Sequence, residues 1–177
     1  LALMARRFAV LGERVFLVGT EQGILFAIGD DGKLRWQFKT KGPIRTTPLV
    51  VDINNNGDEE ICITCMDKFL YVLSAKGQLI WTFQADAPIE SGAAYYKSVN
   101  GNGIVFGTNG GTLYSVTPEG KEHWKFHIKA PITGTPACGK LLGTSDVYIV
   151  FGSHDSKLYV VSDRGNEEWQ FATRDKV

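Results

Sequence analysis

Residues 31–38 read DGKLRWQF, and the figure returns as KGQLIWTF at 76–83, EGKEHWKF at 119–126 and RGNEEWQF at 164–171. The four tryptophans, Trp36, Trp81, Trp124 and Trp169, stand 45, 43 and 45 residues apart. Each has a glycine four residues before it (Gly32, Gly77, Gly120, Gly165) and a phenylalanine two after it (Phe38, Phe83, Phe126, Phe171). A second block keeps the same spacing: LVGTEQGILFAI, ITCMDKFLYVL, FGTNGGTLYSV and FGSHDSKLYVV. A third, GPIRTTP, APIESGA and APITGTP, bridges consecutive units. Self-similarity at a fixed period decides architecture before any single residue is weighed.

Each unit divides into four short strands, in the last one roughly TPACGKL, DVYIVFGS, KLYVVS and EEWQF. KLYVV and EEWQF alternate large apolar with polar residues, the two-residue period of a strand. DDG, AKG, PEG and DRG precede the Trp strands, and a glycine there can take φ > 0 at the end of a three-residue hairpin loop. No segment sustains a helical period. Four-stranded antiparallel units of this length with no helix predict an all-β chain, a β-propeller with four blades at about 5–40, 46–85, 91–128 and 134–173. A single twisted sheet cannot bury both its faces, so stacking must cover each with the next blade. The tryptophans then fill the gaps between blades, each burying on the order of 200 Å² at about 25 cal/mol per Å².

Composition narrows function. The 177 residues suffice for one domain with a core, and 19 Lys+Arg balance 19 Asp+Glu, which leaves no field to draw phosphate backbones or anionic membranes. Nucleic acid is therefore not an expected partner. No apolar run reaches the length of a membrane helix, and LALMARRFAVL lacks the h-region and cleavage site of a signal peptide. A first residue of Leu rather than Met suggests a processed or excised piece. Cys62, Cys65 and Cys138 are odd in number, against a disulfide framework. Cys62 and Cys65 have the spacing of a redox or zinc half-site, yet in a strand residues three apart face opposite ways, so buried, inert thiols are expected. His123, His127 and His154 are isolated, the first two expected on the surface flanking Trp124. No GxSxG, HExxH, phosphate-cradling loop or CxxCH occurs. No enzyme activity is expected.

LFAIGDDGKLRW, LYVLSAKGQLIW, LYSVTPEGKEHW and LYVVSDRGNEEW resemble the tryptophan-docking repeats of the quinoprotein-like (PQQ-like) β-propellers, over the whole chain. That class includes quinone-dependent alcohol and glucose dehydrogenases, scaffold lipoproteins of outer-membrane assembly, and extracellular sensor domains that hold no cofactor. The resemblance implies a propeller and favours an extracytoplasmic, periplasmic or extracellular location. It does not imply an activity. Each turn here is a residue shorter than the family pattern and lacks its Thr, and no vicinal Cys-Cys occurs. PQQ is not expected.

DINNNGDEE, at 52–60, stands between the inner and second strands of blade 2, where blade 3 has SVNGNG, blade 4 KLLGTSD and blade 1 LGER. It sets oxygen-bearing side chains at Asp52, Asn54, Asn56, Asp58 and Glu60 round Gly57. Calcium takes six to eight oxygens and is served by such alternate positions on a tight loop. The stretch resembles the D-x-[DN]-x-[DN]-G-x-x-[DE] calcium loops of FG-GAP-type repeats and of some polysaccharide-lyase propellers. That likeness implies side-chain ligands from Asp52, Asn54 and Asn56, a carbonyl from Asp58 and a carboxylate from Glu60, in a structural site of weak affinity. The alternative is a solvated Asn/Asp/Gly turn.

The expected function is a non-enzymatic platform for a protein or carbohydrate ligand. Candidate contacts are the varied residues after Pro-Ile, Arg45, Glu90 and Thr133, and those at hairpin tips, Asp67, His154 and Asp155. A fragment of a PQQ-dependent dehydrogenase and a sensor or accessory module of a larger protein are the other readings. An open array exposes two apolar blade faces, to be covered by a second copy or by further blades closing the ring. A segment of a larger propeller fits better than a closed four-blade ring, because this repeat class closes with more blades.

Overall fold

The computed structural model describes residues 8–11, 15–140 and 146–177. Within them each glycine that precedes a tryptophan is left-handed, with φ of 75°, 76°, 81° and 78° at Gly32, Gly77, Gly120 and Gly165. The four turns close alike: Gly32 N–H donates to the Gly29 carbonyl at 2.9 Å, and Gly29 N–H to that of Lys33 at 2.9 Å. The register slips beside each turn, at Ala27/Ile28, Val72/Leu73, Ser115/Val116 and Val160/Val161. This is a tight turn followed by a bulge with glycine at the αL position, as the three-residue loop predicts.

The strands form four antiparallel four-stranded sheets, each in sequence order. Blade 1 comprises β1 (Phe8–Leu11), β2 (Val15–Gly19), β3 (Ile24–Gly29) and β4 (Leu34–Lys39). Blade 2 comprises β5 (Leu49–Val51), β6 (Glu60–Thr64), β7 (Phe69–Ser74) and β8 (Leu79–Gln84). Blade 3 has β9 (Ala94–Tyr96), β10 (Gly103–Gly107), β11 (Thr112–Val116) and β12 (Glu122–His127). Blade 4 has β13 (Ala137–Lys140), β14 (Val147–Ser153), β15 (Lys157–Ser162) and β16 (Glu167–Ala172). The first strand of each blade lies innermost, β1 approaching β5 and β9 approaching β13. The fold is all-β and propeller-like. The start of blade 1 expected at Ala5, and most of the LGER and KLLGTSD hairpins, fall outside the described residues.

The apolar core lies between blades. Side chains alternate across each strand, so β2 turns Leu17 toward blade 2, while β6 turns Ile61 and Ile63 back to meet it in one cluster. Between blades 2 and 3, Cys62, Leu70 and Val72 face Ile104, Phe106, Tyr114 and Val116. Between blades 3 and 4, Val105 and Leu113 face Ile149, Phe151, Tyr159 and Val161. The cysteines follow the same rule: Cys62 belongs to one layer and Cys65 to the other.

The outer strands of blades 1, 2 and 3 each lock onto the following blade. Trp36 Nε1–H donates to the Ala75 carbonyl at 3.2 Å, Trp81 to Pro118 at 2.9 Å and Trp124 to Asp163 at 2.7 Å. Each acceptor sits two residues before the next blade's glycine, and the indole lies on that glycine. A Cβ added at Gly77, Gly120 or Gly165 would come within 2.5, 2.8 or 2.9 Å of the ring. The phenylalanines two residues on meet a tyrosine of the following blade: Phe38 on Tyr71 at 5.7 Å, Phe83 on Tyr114 at 5.4 Å and Phe126 on Tyr159 at 6.0 Å. The crossing segments add a further tie, Ile44 N–H donating to Thr20 and Pro43 accepting from Met66, repeated at Ile89, Ile132 and Val177 for the first bond.

Candidate functional site

Antiparallel connection sends the loops to two rims. One rim carries the hairpins before each second strand and each Trp strand. The other carries the turns 20–23, 65–68, 108–111 and 153–156, with the crossings into blades 2, 3 and 4. The backbone of the second rim repeats closely: Thr40, Ala85, Ile128 and Thr173 N–H each donate to the left-handed residue of a turn, at Gly23, Lys68, Gly111 and Ser156. Two of those residues, Lys68 and Ser156, hold φ of 77° and 63° without being glycine.

On this rim the varied side chains after Pro-Ile meet. Arg45 Nε lies 3.2 Å from Glu21 and its Nη1 3.6 Å from Glu90, whose other oxygen accepts from Asn109 at 3.4 Å. Thr133 pairs with His154 Nε2 at 3.0 Å. The structure thus joins Arg45 with Glu90, and Thr133 with His154. Beneath them runs a buried hydroxyl strut. Thr46 Oγ1 meets Thr64 Oγ1 at 2.7 Å, Thr64 donates to the Ser91 carbonyl at 2.7 Å, and Ser91 Oγ accepts Gly107 N–H at 2.8 Å. The strut ties crossings to second strands from underneath, so Arg45 and Glu90 stand on backbone fixed by satisfied buried groups.

Asp67 and Asp155 are engaged by tyrosines of their own blades instead, Asp67 half-buried and Asp155 exposed. Asp67 accepts from Lys41 N–H at 2.9 Å, Phe69 N–H at 3.1 Å and the Tyr71 hydroxyl at 2.6 Å. Asp155 accepts from the Tyr159 hydroxyl at 2.7 Å. Burial pushes the Tyr159 phenol up to about 12, its bond to Asp155 adding to the shift. Blade 3 has Gly110 at this place, and Asp86 from the preceding crossing takes the Thr112 hydroxyl at 2.6 Å.

The loop from Asp52 to Glu60 lies on the opposite rim and is closed by its own amides. Asp52 accepts from Asn56 N–H at 3.1 Å and Gly57 N–H at 2.9 Å; Asn54 accepts from Asn56 N–H at 3.0 Å and Asn56 from Asp58 N–H at 2.8 Å. Asn55 and Gly57 are left-handed, at 59° and 91°. The Gly57 amide chiefly holds the Asp52 carboxyl below its usual value, with the Asn56 and Asn55 amides and the Lys97 ammonium acting the same way against desolvation. The oxygens of Asp52, Asn54 and Asn56 thus gather on one short stretch of backbone. Glu60 goes elsewhere: it is buried, accepts from Ile53 N–H at 3.0 Å and Asn54 Nδ2 at 3.1 Å, and opens β6 opposite Val51. Among the described residues no three His, Cys, Asp or Glu side chains gather as a metal ion would need.

Sequence reading missed a polar junction between blades 3 and 4. The Tyr96 hydroxyl lies 3.0 Å from Ser115 Oγ, 3.2 Å from Trp124 Nε1, 3.2 Å from the Asp163 carbonyl and 3.3 Å from His123 Nδ1. The buried Asp163 carboxylate takes Ser98 Oγ and, at 3.1 Å, Asn100 Nδ2. Beside it opens a cleft of about 170 Å³ lined by Asn100, Asp146, Tyr148, Arg164 and Glu168 among others. His123, expected on the surface, is half-buried here, because Tyr96 reaches across from the inner strand. His127 is exposed, bonded to Thr112 at 3.1 Å. The sequence carried no distinguishing signal, since Asp163 stands at a place that Asp30 also holds in unit 1, with Ala75 and Pro118 in the other two. The three thiols are free. Burial raises all of them, Cys62 most and Cys138 to about 12, which keeps them protonated and inert.

Comparison with known proteins agrees with this architecture. The family described as Outer membrane protein assembly factor BamB matches residues 67–176, and that described as Lambda-carrageenase beta-propeller domain matches 16–109, each more than half of the chain. No curated protein matches by sequence. Among solved structures, BamB from Moraxella catarrhalis is similar with a TM-score of 0.70 at 16% identity, over 96% of this chain and 50% of that one. BBS1N in complex with ARL6DN gives 0.69 at 13% identity, over 96% and 54%. The chain spans about half the length of these solved relatives. The repeated Trp–Gly units and the matching family profiles agree, and the chain belongs to the PQQ-like β-propeller repeat family.

Proposed function

We propose that the chain is a non-catalytic binding platform for a protein partner, presenting the rim of turns and crossings. The observation that carries this reading is the row Glu21–Arg45–Glu90–Asn109: unlike side chains at matched places on a backbone that otherwise repeats bond for bond. BBS1N, a propeller of similar shape, was solved with a protein bound. The absence of a vicinal cysteine pair and the inert state of the three thiols weigh against quinone chemistry. The reading places the protein outside the cytoplasm, as the BamB-type resemblance suggests. Charge reversal tests it. Arg45→Glu should abolish capture of the partner while the melting temperature holds, and partner binding that survives both Arg45→Glu and Glu90→Arg would refute this rim. Mixing the chain with PQQ and an electron-accepting dye should give no reduction; turnover would restore the dehydrogenase reading.

The match to the carrageenase propeller domain favours a second reading, an accessory module that holds polysaccharide for an enzyme. Retention on an immobilised sulfated galactan, lost in Arg45→Glu, would select it over a protein ligand. Calcium at the loop of blade 2 belongs to the proposal as a structural ion, held by the side chains of Asp52, Asn54 and Asn56 and the carbonyl of Asp58, with Glu60, engaged by Ile53 N–H and Asn54, outside the ligand set. Titration with calcium should raise the melting temperature, and no rise at millimolar calcium sinks this part.

A further inference from the structure

An asparagine followed by glycine is chemically labile. The glycine nitrogen, with no Cβ beside it, can close a five-membered ring on the side-chain amide. The chain has four such pairs: Asn56-Gly57, Asn100-Gly101, Asn102-Gly103 and Asn109-Gly110. Their sequence chemistry is the same and their surroundings are not.

Three of the four are held by the fold. Asn100 gives Nδ2 to the buried Asp163 carboxylate at 3.1 Å and takes Arg164 Nη2 on Oδ1 at 2.9 Å, so both ends of its amide are engaged by blade 4. Asn102 accepts the Ser98 N–H at 3.3 Å, and the nitrogen that would attack it belongs to Gly103, buried in β10 opposite Tyr96. Asn109 gives Nδ2 to Glu90 at 3.4 Å, and its Oδ1 is buried.

Asn56 differs on each count. Asn56 and Gly57 are exposed, and a Cβ at Gly57 would have no atom within 4 Å. Among the described residues nothing bonds the Asn56 Nδ2. Its Oδ1 accepts the Asp58 N–H at 2.8 Å, an Asx turn that spans Gly57 and brings the side chain back toward that peptide. The same bond draws electron density from Cγ, as an oxyanion donor does. Gly57 N–H points at the Asp52 carboxylate 2.9 Å away, an acceptor beside the nitrogen that must lose its proton.

We propose that Asn56 is a site of spontaneous modification, converting to aspartate and isoaspartate in the folded protein while the other three asparagines persist. The Gly57 nitrogen bonds to Cγ of Asn56, and its proton passes by way of Asp52 to solvent. The Cγ–Nδ2 bond breaks, and Nδ2, protonated by water, leaves as ammonia. Water then opens the succinimide. Addition at Cγ gives aspartate; addition at the main-chain carbonyl gives isoaspartate, with the chain running through the former side chain. No electrons are exchanged, and water is the only co-reactant. Either product adds a negative charge beside Asp52 and Asp58, and isoaspartate also lengthens by a methylene the loop that joins β5 to β6.

Ageing the full 177-residue chain in mildly alkaline heavy-oxygen water, followed by peptide mapping by mass, tests this. Heavy oxygen should enter residue 56 faster than residues 100, 102 and 109 by roughly ten-fold or more, since those three must first open locally. A methyltransferase specific for isoaspartate should label the same peptide. In urea the selectivity should vanish and all four sites should convert at similar rates. Asn56→Gln, whose longer side chain must close a six-membered ring, should abolish the signal at 56 and leave the other three sites as they were. A native chain that keeps its amide at 56 while the urea-unfolded chain loses it overturns the proposal. So does a native chain in which Asn100, Asn102 or Asn109 converts as fast as Asn56, or a ranking of the four sites that is the same folded and unfolded.

Discussion

The two middle blades and the two outer ones share one repeat but live in different surroundings. In blade 2, β6 is buried along its whole length and in blade 3 so is β10, while β2 and β14 alternate between buried and partly exposed. The tryptophan of each inner joint rests on a glycine, and Trp169 rests on none within the chain. Identical sequence signals therefore carry different energies according to what stands on the far side of the blade. Matched substitutions in the two surroundings can separate the contribution of the repeat itself from that of the joint.

The largest difference should come from the indoles. Trp81→Ala empties a layer and should destabilise by roughly 3 kcal/mol in urea unfolding, whereas Trp169→Ala in dilute solution should cost about 0.5 kcal/mol or less. Equal losses would mean that the docked geometry contributes little. The glycines sharpen the same contrast. Gly32→Ala should cost about 1 kcal/mol, the strain of a side chain at φ > 0. Gly120→Ala adds overpacking against Trp81, for roughly 2–4 kcal/mol in all. The difference between the two isolates the seat from the turn.

Much of this contrast was legible in the sequence and some was not. Trp, Gly and Phe at fixed spacing announced the hairpin and its left-handed glycine, which depend on residues within ten positions of one another, and the repeat of that spacing announced the aromatic gap-filling between blades. Cys62 and Cys65 could be sent to opposite faces from strand geometry alone. Glu60 could not be read. Its place in the DINNNGDEE pattern suggested a ligand, while its position as the first residue of β6 drew the carboxylate into the blade to meet Ile53 N–H. Asp67 likewise looked like a tip residue free for a partner, and it is engaged by the Tyr71 hydroxyl four residues on, on the strand that leaves the turn. The hub at Tyr96 collects groups from residues 96 to 163, and no local pattern records such a meeting.

Smaller effects extend the comparison. Thr64→Val breaks the hydroxyl strut between the middle blades and should cost about 1–2 kcal/mol; blade 4 has Gly152 at that place and no strut to lose. The thiols give a pH dependence. A folded thiol pushed above its free value favours the protonated form, so its stabilising share is complete below the free value and is lost as pH rises. For Cys138 the window runs from 9.0 to about 12. Unfolding free energy should decline across that range, less steeply in Cys138→Ala. At neutral pH a thiol reagent should label half-buried Cys138 in blade 4 before Cys62 or Cys65. Smallest of all, Arg45→Ala removes exposed ion pairs and should shift stability by no more than about 0.5 kcal/mol, so any larger effect it has on partner binding is a property of the rim.

Because every apolar layer in the molecule is shared by two neighbours, a blade has no stability to call its own. Folding free energy is then a sum over boundaries, and the chain behaves as a short one-dimensional array. Each outer blade owns one boundary and each inner blade two. Amide exchange should record this as a gradient, slowest in β6, β7, β10 and β11, faster in β2, β3, β14 and β15. Unfolding should begin at the rims of the array and travel inward, and excising blade 4 should unsettle blade 3 while leaving blade 1 almost unaware of the loss.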